Sequence, residues 1–319
     1  MRELALISVL SDGRFHSGEV LGKMLGVSRA AVWKRLQGLA LYGLEIESVR
    51  GKGYRISGGL SLLSEEAVLS FADLSADALD LDLRTETGST NVDALYAARE
   101  RLVRPYAVIA EYQSSGRGRR GRVWQSPFAS SIYLSLAVEI TGGAAKLEGL
   151  SLAVGVVVAE LLAAHSISDV SVKWPNDILV RGKKIGGILI ELTGDLDASC
   201  RAIIGVGING ALPAAVEIDQ PATDLHQELG LRPDRNQWVG QLLSALIAMS
   251  EQFSEKGFSN FQRRWERFDS MLGRSVRVIQ GEREVHGIAR GVTERGALLV
   301  ETEGLITEYH GGEVSLRAI

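Results

Sequence analysis

The chain has 319 residues, of which 45% are hydrophobic and 23% are charged, and its formal net charge is −4. This composition is typical of a soluble globular protein, and the length allows two or three domains. The single cysteine, Cys200, excludes an internal disulfide framework and favours a cytoplasmic location. We expect no signal peptide, because residues 1–10 carry only one Arg and a short apolar run without a small-residue cleavage site. We expect no membrane partner, because the most apolar window, residues 150–164, is too short to span a bilayer and contains Glu160.

Residues 1–60 have the pattern of a winged helix-turn-helix domain. Residues 14–55 hold eight Lys and Arg against three Glu, and this basic balance favours a nucleic-acid partner. Apolar spacing and turn signals predict three helices and two strands around a basic hairpin tip. The helices are Met1–Leu10, one capped by Ser17 that ends at Leu25, and Arg29–Leu41 capped by Ser28; the strands are Ile46–Val49 and Tyr54–Ile56.

The third helix is the predicted DNA-reading element, since this helix lies in the major groove in helix-turn-helix proteins. Its expected inward positions are Ala30, Val32 or Trp33, Leu36 and Leu39, and the pattern leaves open whether Trp33 faces the core or DNA. The predicted base contacts are Ser28, Arg29 and Ala31, with Lys34 and Arg35 near phosphates and Arg50 and Lys52 on the wing. The alternative is a winged helix that contacts proteins.

Residues 61–271 alternate helices and strands and predict an α+β domain with a mixed, mostly antiparallel sheet and helices on one face. The predicted helices are Glu65–Leu74, Val92–Arg101, Leu147–Ala164, Asn236–Glu255 and Ser259–Met271. The predicted strands are Tyr106–Tyr112, Ser131–Glu139, Val170–Trp174, Asp177–Val180, Lys184–Leu192 and Arg201–Val206. Residues 272–319 carry short strands with turn signals and predict a small SH3-like β-barrel.

A loop of unusual composition, Gly116–Trp124, follows the first of these strands. It holds four Arg and three Gly within seven residues, a composition that suits neither a helix nor a strand. The run matches G-x-G-x-x-G, but no helix pattern follows it, so we reject a dinucleotide-binding interpretation. The glycines allow close approach of the backbone to a ligand, and the arginines offer donors for phosphate or carboxylate oxygens. A solvated basic loop is the alternative.

Three further stretches are more polar or richer in glycine than a plain fold requires. They are Ser89–Asn91, Lys173–Asp177 and Lys184–Gly187, and Gln113 leads into the arginine loop. Taken singly, each has a structural explanation as a helix cap, a turn or a solvated pair. Taken together, they predict a site rich in cations and without an obvious general base. Attack of an already ionised carboxylate on the α-phosphate of ATP needs such a site, because two anions must be brought together.

In this order, the motifs GSTN, GRGRRGRVW, KWPND and KIGGIL resemble those of biotin protein ligases. The N-terminal winged helix makes the chain similar to the bifunctional bacterial form, which is also a repressor. The resemblance covers essentially the whole chain. It implies that biotin and MgATP form biotinyl-5′-adenylate, and that a lysine of biotin carboxyl carrier protein then takes the biotin. It implies no tightly bound metal or prosthetic group, and Mg²⁺ arrives with ATP on protein ligands that the sequence does not identify.

The resemblance also implies roles for individual residues. Those at the biotin site are Ser89, Thr90, Asn91, Gln113, Gly116, Arg117, Gly118, Arg119, Lys184 and Gly187. Those at the ATP site are Arg119, Arg120, Arg122, Trp124, Lys173, Asn176 and Asn209. Those of the chemistry are Lys184, Arg117, Arg119, Lys173 and Asp177, the last as a hypothetical base for the acceptor lysine. Residues 213–225 are expected to cover the adenine, although this chain has no aromatic residue there.

Two other functions compete with this one. The first is a ligand-sensing repressor that binds a carboxylate and no longer catalyses, which the presence of Arg117, Arg119 and Lys184 disfavours. The second is ligation of lipoate, which the arginine loop and the winged helix disfavour. If the chain represses biotin synthesis genes, we expect the bound adenylate to order the arginine loop and promote a homodimer. That dimer would present two winged helices to operator DNA.

Overall fold

A computed structural model describes residues 4–75, 77–99, 102–141, 143–194, 199–214, 216–311 and 314–318. The predicted start of the first helix at Met1 and the predicted end of another at Arg101 lie outside these residues. No helix in the described part of the chain is long and apolar enough to cross a membrane.

The N-terminal domain has the predicted winged helix-turn-helix arrangement. Its helices are α1 (Leu4–Leu10), α2 (Gly18–Leu25) and α3 (Arg29–Gly38), and α3 continues as a short 3-10 helix, Leu39–Tyr42. The strands β1 (Ile46–Val49) and β2 (Gly53–Ile56) form an antiparallel wing. Both predicted N-caps are present, since the hydroxyl of Ser17 accepts from the Val20 N–H at 3.1 Å and that of Ser28 from the Ala31 N–H at 3.2 Å.

The inward side of α3 differs in part from the prediction. Val32, Leu36 and Leu39 are buried as expected, but Ala30 is exposed. Helical geometry explains the error, because Ala30 lies on the opposite side of α3 from Leu36 and Leu39. Trp33 is 55% exposed, so its side chain lies outside the core of the domain.

A seven-stranded sheet forms the central domain, in the order β3-β4-β5-β9-β8-β7-β6. Its strands are β3 (Asp80–Arg84), β4 (Tyr106–Ala110), β5 (Ser131–Thr141), β6 (Val170–Lys173), β7 (Asp177–Val180), β8 (Lys183–Gly194) and β9 (Ser199–Asn209). Strands β3 and β4 are parallel, and the other neighbours are antiparallel. The mixed, mostly antiparallel sheet is therefore confirmed, although the sequence pattern missed β3.

Helices cover both faces of this sheet, so the prediction of helices on one face was wrong. The helices are α4 (Glu65–Phe71), α5 (Thr90–Ala97), α6 (Leu150–Ala164), α7 (Leu225–Leu229), α8 (Arg235–Lys256) and α9 (Gln262–Glu266). Side chains alternate along β4: Ala107 and Ile109 join the large core with α6 and α8, whereas Val108 packs with Ala94 of α5 and with Ala98, the residue that follows this helix. The small alanines let α5 lie close to the second face.

The C-terminal residues form a five-stranded antiparallel sheet where the sequence predicted a small barrel. Its order is β13-β12-β11-β10-β14. The strands are β10 (Ser275–Gln280), β11 (Arg283–Val292), β12 (Leu298–Thr302), β13 (Leu305–Tyr309) and β14 (Val314–Ala318). The domain boundaries after residues 60 and 271 stay predictions.

A buried ion pair anchors the first residues of the predicted central domain. Arg235 pairs with Glu111, and both side chains are almost completely buried. The other oxygen of Glu111 accepts from the Leu63 N–H at 2.6 Å, and Arg235 donates to the Ser61 carbonyl at 3.0 Å. Arg235 also donates to the Ser131 carbonyl of β5 at 2.9 Å, so the pair fixes residues 61–63 to the central sheet.

We predict that Glu111→Ala lowers the free energy of unfolding by about 3–5 kcal/mol, because it leaves a buried guanidinium without its counter-charge. Urea denaturation measures this loss. The matched control is Glu301→Ala, which removes the partly exposed Arg290–Glu301 pair and should cost about 1 kcal/mol or less. Equal losses in the two variants would contradict a structural role for the buried pair.

Candidate active site and DNA-binding surface

A cleft of about 1470 Å³ lies between the arginine loop, the central sheet and the C-terminal domain. It brings together most of the site residues predicted from the sequence. Those on its wall are Ser89, Thr90, Asn91, Gln113, Arg117, Gly118, Arg119, Arg120, Arg122, Trp124, Lys173, Asn176, Asp177, Lys184, Gly187 and Asn209. Gly116 is not on this wall. It lies at the base of the loop, where a Cβ atom would be 2.3 Å from the Trp124 carbonyl oxygen.

One end of the cleft is a network of amide and hydroxyl groups. Gln113 Oε1 accepts from the backbone N–H of Thr90 at 2.9 Å, and the hydroxyls of Thr90 and Ser135 are 2.8 Å apart. Ser135 donates to Asn91 Oδ1 at 2.6 Å, and Asn91 Nδ2 donates to Glu191 at 2.8 Å. This end has donors and acceptors held in fixed directions, which suits a neutral polar ligand such as a urea or amide group.

Sequence reasoning missed Ser135 and Glu191, which complete this network. Both lie in the interiors of strands, where a lone polar residue gives no signal beyond its place in the alternation. Glu191 also forms an ion pair with Arg117 at 3.2 Å. The carboxylate therefore holds the first arginine of the loop beside the polar end of the cleft.

The arginine loop closes on itself. The Gly118 N–H donates to the Arg122 carbonyl at 2.8 Å and the Trp124 N–H to the Gly116 carbonyl at 2.9 Å. Arg120 has φ = 57°, a left-handed conformation that an arginine rarely adopts. The loop thus turns its arginines toward the cleft by a short, strained reversal of the chain.

Glycines of two neighbouring strands make a floor for Trp124. A Cβ atom on Gly207 would lie 2.5 Å from the indole, and one on Gly187 would lie 3.1 Å from it. The indole Nε1–H is buried, and no partner for it is found among the described residues. A flat aromatic surface thus lies on the sheet, directly beside the charged part of the cleft.

A β-bulge aims Lys184 into the cleft. Ile178 pairs with Gly186 and Leu179 pairs with Lys184, so Ile185 is the extra residue of β8. Ile185 is buried in the core, and Lys184 consequently lies on the same side as Asp177 and Gly187. Its ammonium is 2.6 Å from Asp177 Oδ1 and 5.6 Å from the centre of the Trp124 ring.

Two further cations are held near Lys184. Arg119 donates to Asn176 Oδ1 at 3.1 Å and to the carbonyl of Gly311 in the C-terminal domain. Burial lowers the pKa of the Arg119 guanidinium, and burial likewise lowers the pKa of Lys173. Both cations lose hydration on burial, and nearby negative charge does not offset that loss fully. An anion that binds beside them would therefore stabilise their charged forms.

The chain after β9 closes another side of the cleft. Asn209 Nδ2 donates to the Thr223 carbonyl at 3.0 Å, and residues 217–222 lie on the cleft wall. The segment expected to cover an adenine is therefore next to Lys184, whose backbone N–H donates to the Pro221 carbonyl at 2.9 Å. Its place agrees with the expectation, and its contact with a nucleotide stays a prediction.

A second set of predicted residues lies in the N-terminal domain, on the winged helix. Arg29, Lys34, Arg50 and Lys52 are exposed, whereas Ala31 and Arg35 are half-buried. The hydroxyl of Ser28 is engaged as the helix cap. The ammonium of Lys52 lies 5.8 Å from the centre of the Phe15 ring. The structure therefore offers exposed cations on both the helix and the wing.

Comparison with protein families assigns all three parts of the chain. The Biotin/lipoate A/B protein ligase family matches residues 89–209. The biotin protein ligase C terminal domain matches residues 271–317, and an HTH domain matches residues 2–55. The class of protein is thus a ligase domain with its C-terminal companion, preceded by a helix-turn-helix domain.

Comparison with individual proteins narrows this class. The chain is 41% identical to the bifunctional ligase/repressor BirA of Salmonella typhimurium, over 99% of this chain and 97% of that protein. It is 31% identical to the protein of the same name from Bacillus spizizenii, over 98% and 97%. A biotin protein ligase from Aquifex aeolicus, solved in complex with biotin and ATP, superposes with a TM-score of 0.64 and 32% identity, and covers 75% of this chain and 99% of that one. The chain belongs to the biotin protein ligase family.

Asp269 gives a testable consequence of burial in the cleft wall. Its Oδ1 accepts from the Met271 N–H at 2.8 Å, and its Oδ2 is buried without a partner among the described residues. Burial raises the pKa of Asp269 from 3.8 to about 6. The folded protein therefore binds this proton more tightly than the unfolded chain, and stability falls as the pH rises from about 4 to about 6.

We predict that Asp269→Asn, which cannot ionise, is more stable than the wild type above pH 6 by roughly 3 kcal/mol, and that this difference disappears near pH 4. Urea denaturation at a series of pH values measures it. A constant difference between the two proteins over the whole range would show that ionisation of Asp269 is not its cause.

Proposed function

We propose that this protein is an ATP-dependent biotin protein ligase that also represses transcription. The observation that carries the proposal is the cleft itself. Arg117, Arg119 and Lys184 line one wall beside a neutral polar end, and each is held by its own acceptor within the protein. The cations can bring a carboxylate and a phosphate together, and the fixed polar pocket can hold an uncharged polar part of the same carboxylate ligand. Such a site suits activation of a carboxylate by ATP.

In the first step, the carboxylate of biotin attacks the α-phosphorus of ATP. A carboxylate–phosphorus bond forms, the bond from the α-phosphorus to the β-phosphate oxygen breaks, and pyrophosphate leaves. The network of Thr90, Asn91, Gln113 and Ser135 would orient the ureido ring of biotin. Lys184 would leave Asp177, and Arg117 would leave Glu191. Both cations would then bind the biotin carboxylate and the α-phosphate. These cations offset the charge that builds on the phosphoryl oxygens.

Triphosphate and adenine would lie farther along the cleft. Arg119, Arg120, Arg122, Lys173 and Asn176 offer donors to the phosphates, and Trp124 on its glycine floor offers a flat surface for adenine. Magnesium would enter on the phosphates of ATP. Among the described residues, no three His, Cys, Asp or Glu side chains are grouped to hold a metal. Mg²⁺ at nucleotide sites is usually bound through one or two carboxylates together with the substrate phosphates.

The arginine loop would then protect the product. A mixed anhydride of a carboxylic acid and a phosphate is hydrolysed if water reaches it, and a loop closed over the cleft excludes water. The loop is anchored at Gly116 and Trp124, and its arginines would hold the phosphate from above. Biotin and ATP as substrates agree with the ligands of the Aquifex aeolicus relative.

In the second step, the amine of an acceptor lysine attacks the acyl carbon of biotin. An amide bond forms, the bond between the acyl carbon and the phosphate oxygen breaks, and AMP leaves. The acceptor would be biotin carboxyl carrier protein. Asp177 lies at the cleft beside Lys184. Once Lys184 has moved to the substrate oxygens, the Asp177 carboxylate would take the proton that the acceptor lysine must lose to attack as an amine.

Repression would use the N-terminal domain. Two winged helices in a homodimer that forms when the adenylate is bound would read the two halves of an operator near biotin synthesis genes. Three observations support this part: the basic surface of α3 and the wing, the HTH domain match of residues 2–55, and the name ligase/repressor of the BirA relatives. A cytoplasmic location rests on the single cysteine.

We predict that Lys184→Ala lowers the rate of adenylate formation by about 10²–10³-fold, because the cation at the reacting oxygens is lost. Purified protein with biotin, magnesium and labelled ATP, without acceptor, measures it. Lys183→Ala is the matched control, since Lys183 is exposed, and it should react at the wild-type rate. Biotin bound tightly by the wild type without any adenylate would favour a sensor that does not catalyse. Adenylate formed from lipoate and not from biotin would show that lipoate is the acid substrate.

We predict that Asp177→Asn lowers transfer from preformed adenylate to the carrier lysine by about 10²-fold or more, since an amide cannot accept the proton. The transfer rate is measured in a single turnover on isolated biotinyl-adenylate, so that any effect of the lost Lys184 partner on the first step is bypassed. Raising the pH should restore part of the rate, because more of the lysine is then already neutral. Undiminished transfer by the variant would remove Asp177 from this role.

A further inference from the structure

Trp33 is an exception among the tryptophans of this chain. Trp174, Trp238 and Trp265 are at most 2% exposed, whereas Trp33 is 55% exposed. An indole left in water forgoes the free energy of burying a large apolar surface. No hydrogen bond or ring contact of Trp33 occurs among the residues that the structure describes. The folded chain therefore leaves more than half of this side chain exposed.

Its position on α3 is the second observation. Val32, Leu36 and Leu39 occupy the buried side of the helix, and Ala30, Trp33, Lys34 and Gln37 are exposed. These four are spaced three and four residues apart, so they form one continuous outward stripe. Trp33 lies one turn beyond Arg29, near the start of the helix, where helix-turn-helix proteins contact base edges.

The chemistry of the stripe separates two kinds of contact. Arg29 and Lys34 carry charges that bind phosphates, and such contacts depend on salt and carry little sequence information. Trp33 has no charge and is flanked by the methyl group of Ala30. The apolar feature that the major groove offers to such a side chain is the C5-methyl group of thymine, which only A·T pairs carry.

We propose that Trp33 reads a thymine in the operator by packing its indole on the thymine methyl group. This inference rests on the DNA binding proposed above and makes Trp33 a specificity-determining residue of that surface. It accounts for an exposed indole that neither the core nor the ligase site uses. It also identifies the contact by a single group of atoms, which can be removed from the DNA without changing its charge.

The test begins with the wild-type protein, biotin and ATP, and a random-sequence duplex library, from which a binding duplex is selected. The same duplex is then made with deoxyuridine in place of thymidine, one position at a time. For the wild type, one such replacement in each half-site should weaken binding about fourfold, the value of one buried methyl group. For Trp33→Ala, binding to the unmodified duplex should be at least about tenfold weaker, and the thymine and uracil duplexes should bind equally.

Two controls separate this contact from general damage. Trp33→Ala should form biotinyl-adenylate at the wild-type rate and keep the wild-type dependence of DNA affinity on salt. Lys34→Ala is the matched variant on the same stripe. It should weaken binding to all duplexes alike, keep the preference for thymine, and reduce the salt slope by about two, which is about one for each protomer of the dimer.

The outcomes are distinct. A Trp33→Ala protein that still prefers thymine to uracil overturns the inference, whether its affinity is unchanged or uniformly lower, because the indole then packs on something other than the methyl group. If the wild type forms adenylate but selects no sequence, the proposed repressor function fails, and the inference fails with it. If Trp33→Ala changes only the self-association of the protein, the indole belongs to a protein contact and the inference is wrong.

Discussion

Repulsion between like charges is the constraint that organises the cleft that we propose as the active site. A site that brings two anions together needs several cations, and those cations repel one another when the substrates are absent. The structure holds them with acceptors of its own: Lys184 with Asp177, Arg117 with Glu191, and Arg119 with Asn176 and a carbonyl of the C-terminal domain. Each acceptor holds a cation in a position where a substrate anion can replace the acceptor. In this account, catalysis is an exchange of internal partners for substrate partners.

The fold supplies the places for these groups by local devices on two strands. A bulge at Ile185 turns Lys184 to the cleft side of β8, and the glycines of β8 and β9 make room for Trp124. The same region touches both other domains. Arg119 reaches Gly311, and the segment after the loop meets the winged helix, where the Phe128 N–H donates to the Tyr42 carbonyl at 2.8 Å. Changes in the arginine loop therefore have a short physical path to the DNA-binding domain.

Much of the fold and of the cleft could be predicted, because residues close together in sequence determined these features. Ser17 and Ser28 precede helices as capping residues and do cap them, and the arginines of the loop do line the cleft. The features that were missed depend on contacts distant in sequence. Strand β3 has an acidic, half-buried sequence that becomes a strand only beside β4. Glu191 gains its partners from α5 and the loop, and α5 lies on the second face because Ala94 and Ala98 fit against Val108.

The most direct measurement of this account is a crystal structure of the protein with biotinyl-adenylate bound. The account predicts that Lys184 has moved from Asp177 to the oxygens around the phosphorus, and that Arg117 has moved from Glu191 to the same group. The ureido ring should lie against Thr90, Asn91 and Gln113. Both ion pairs intact, with the adenylate bound elsewhere in the cleft, would contradict the exchange of partners and, with it, the assignment of these cations to the chemistry.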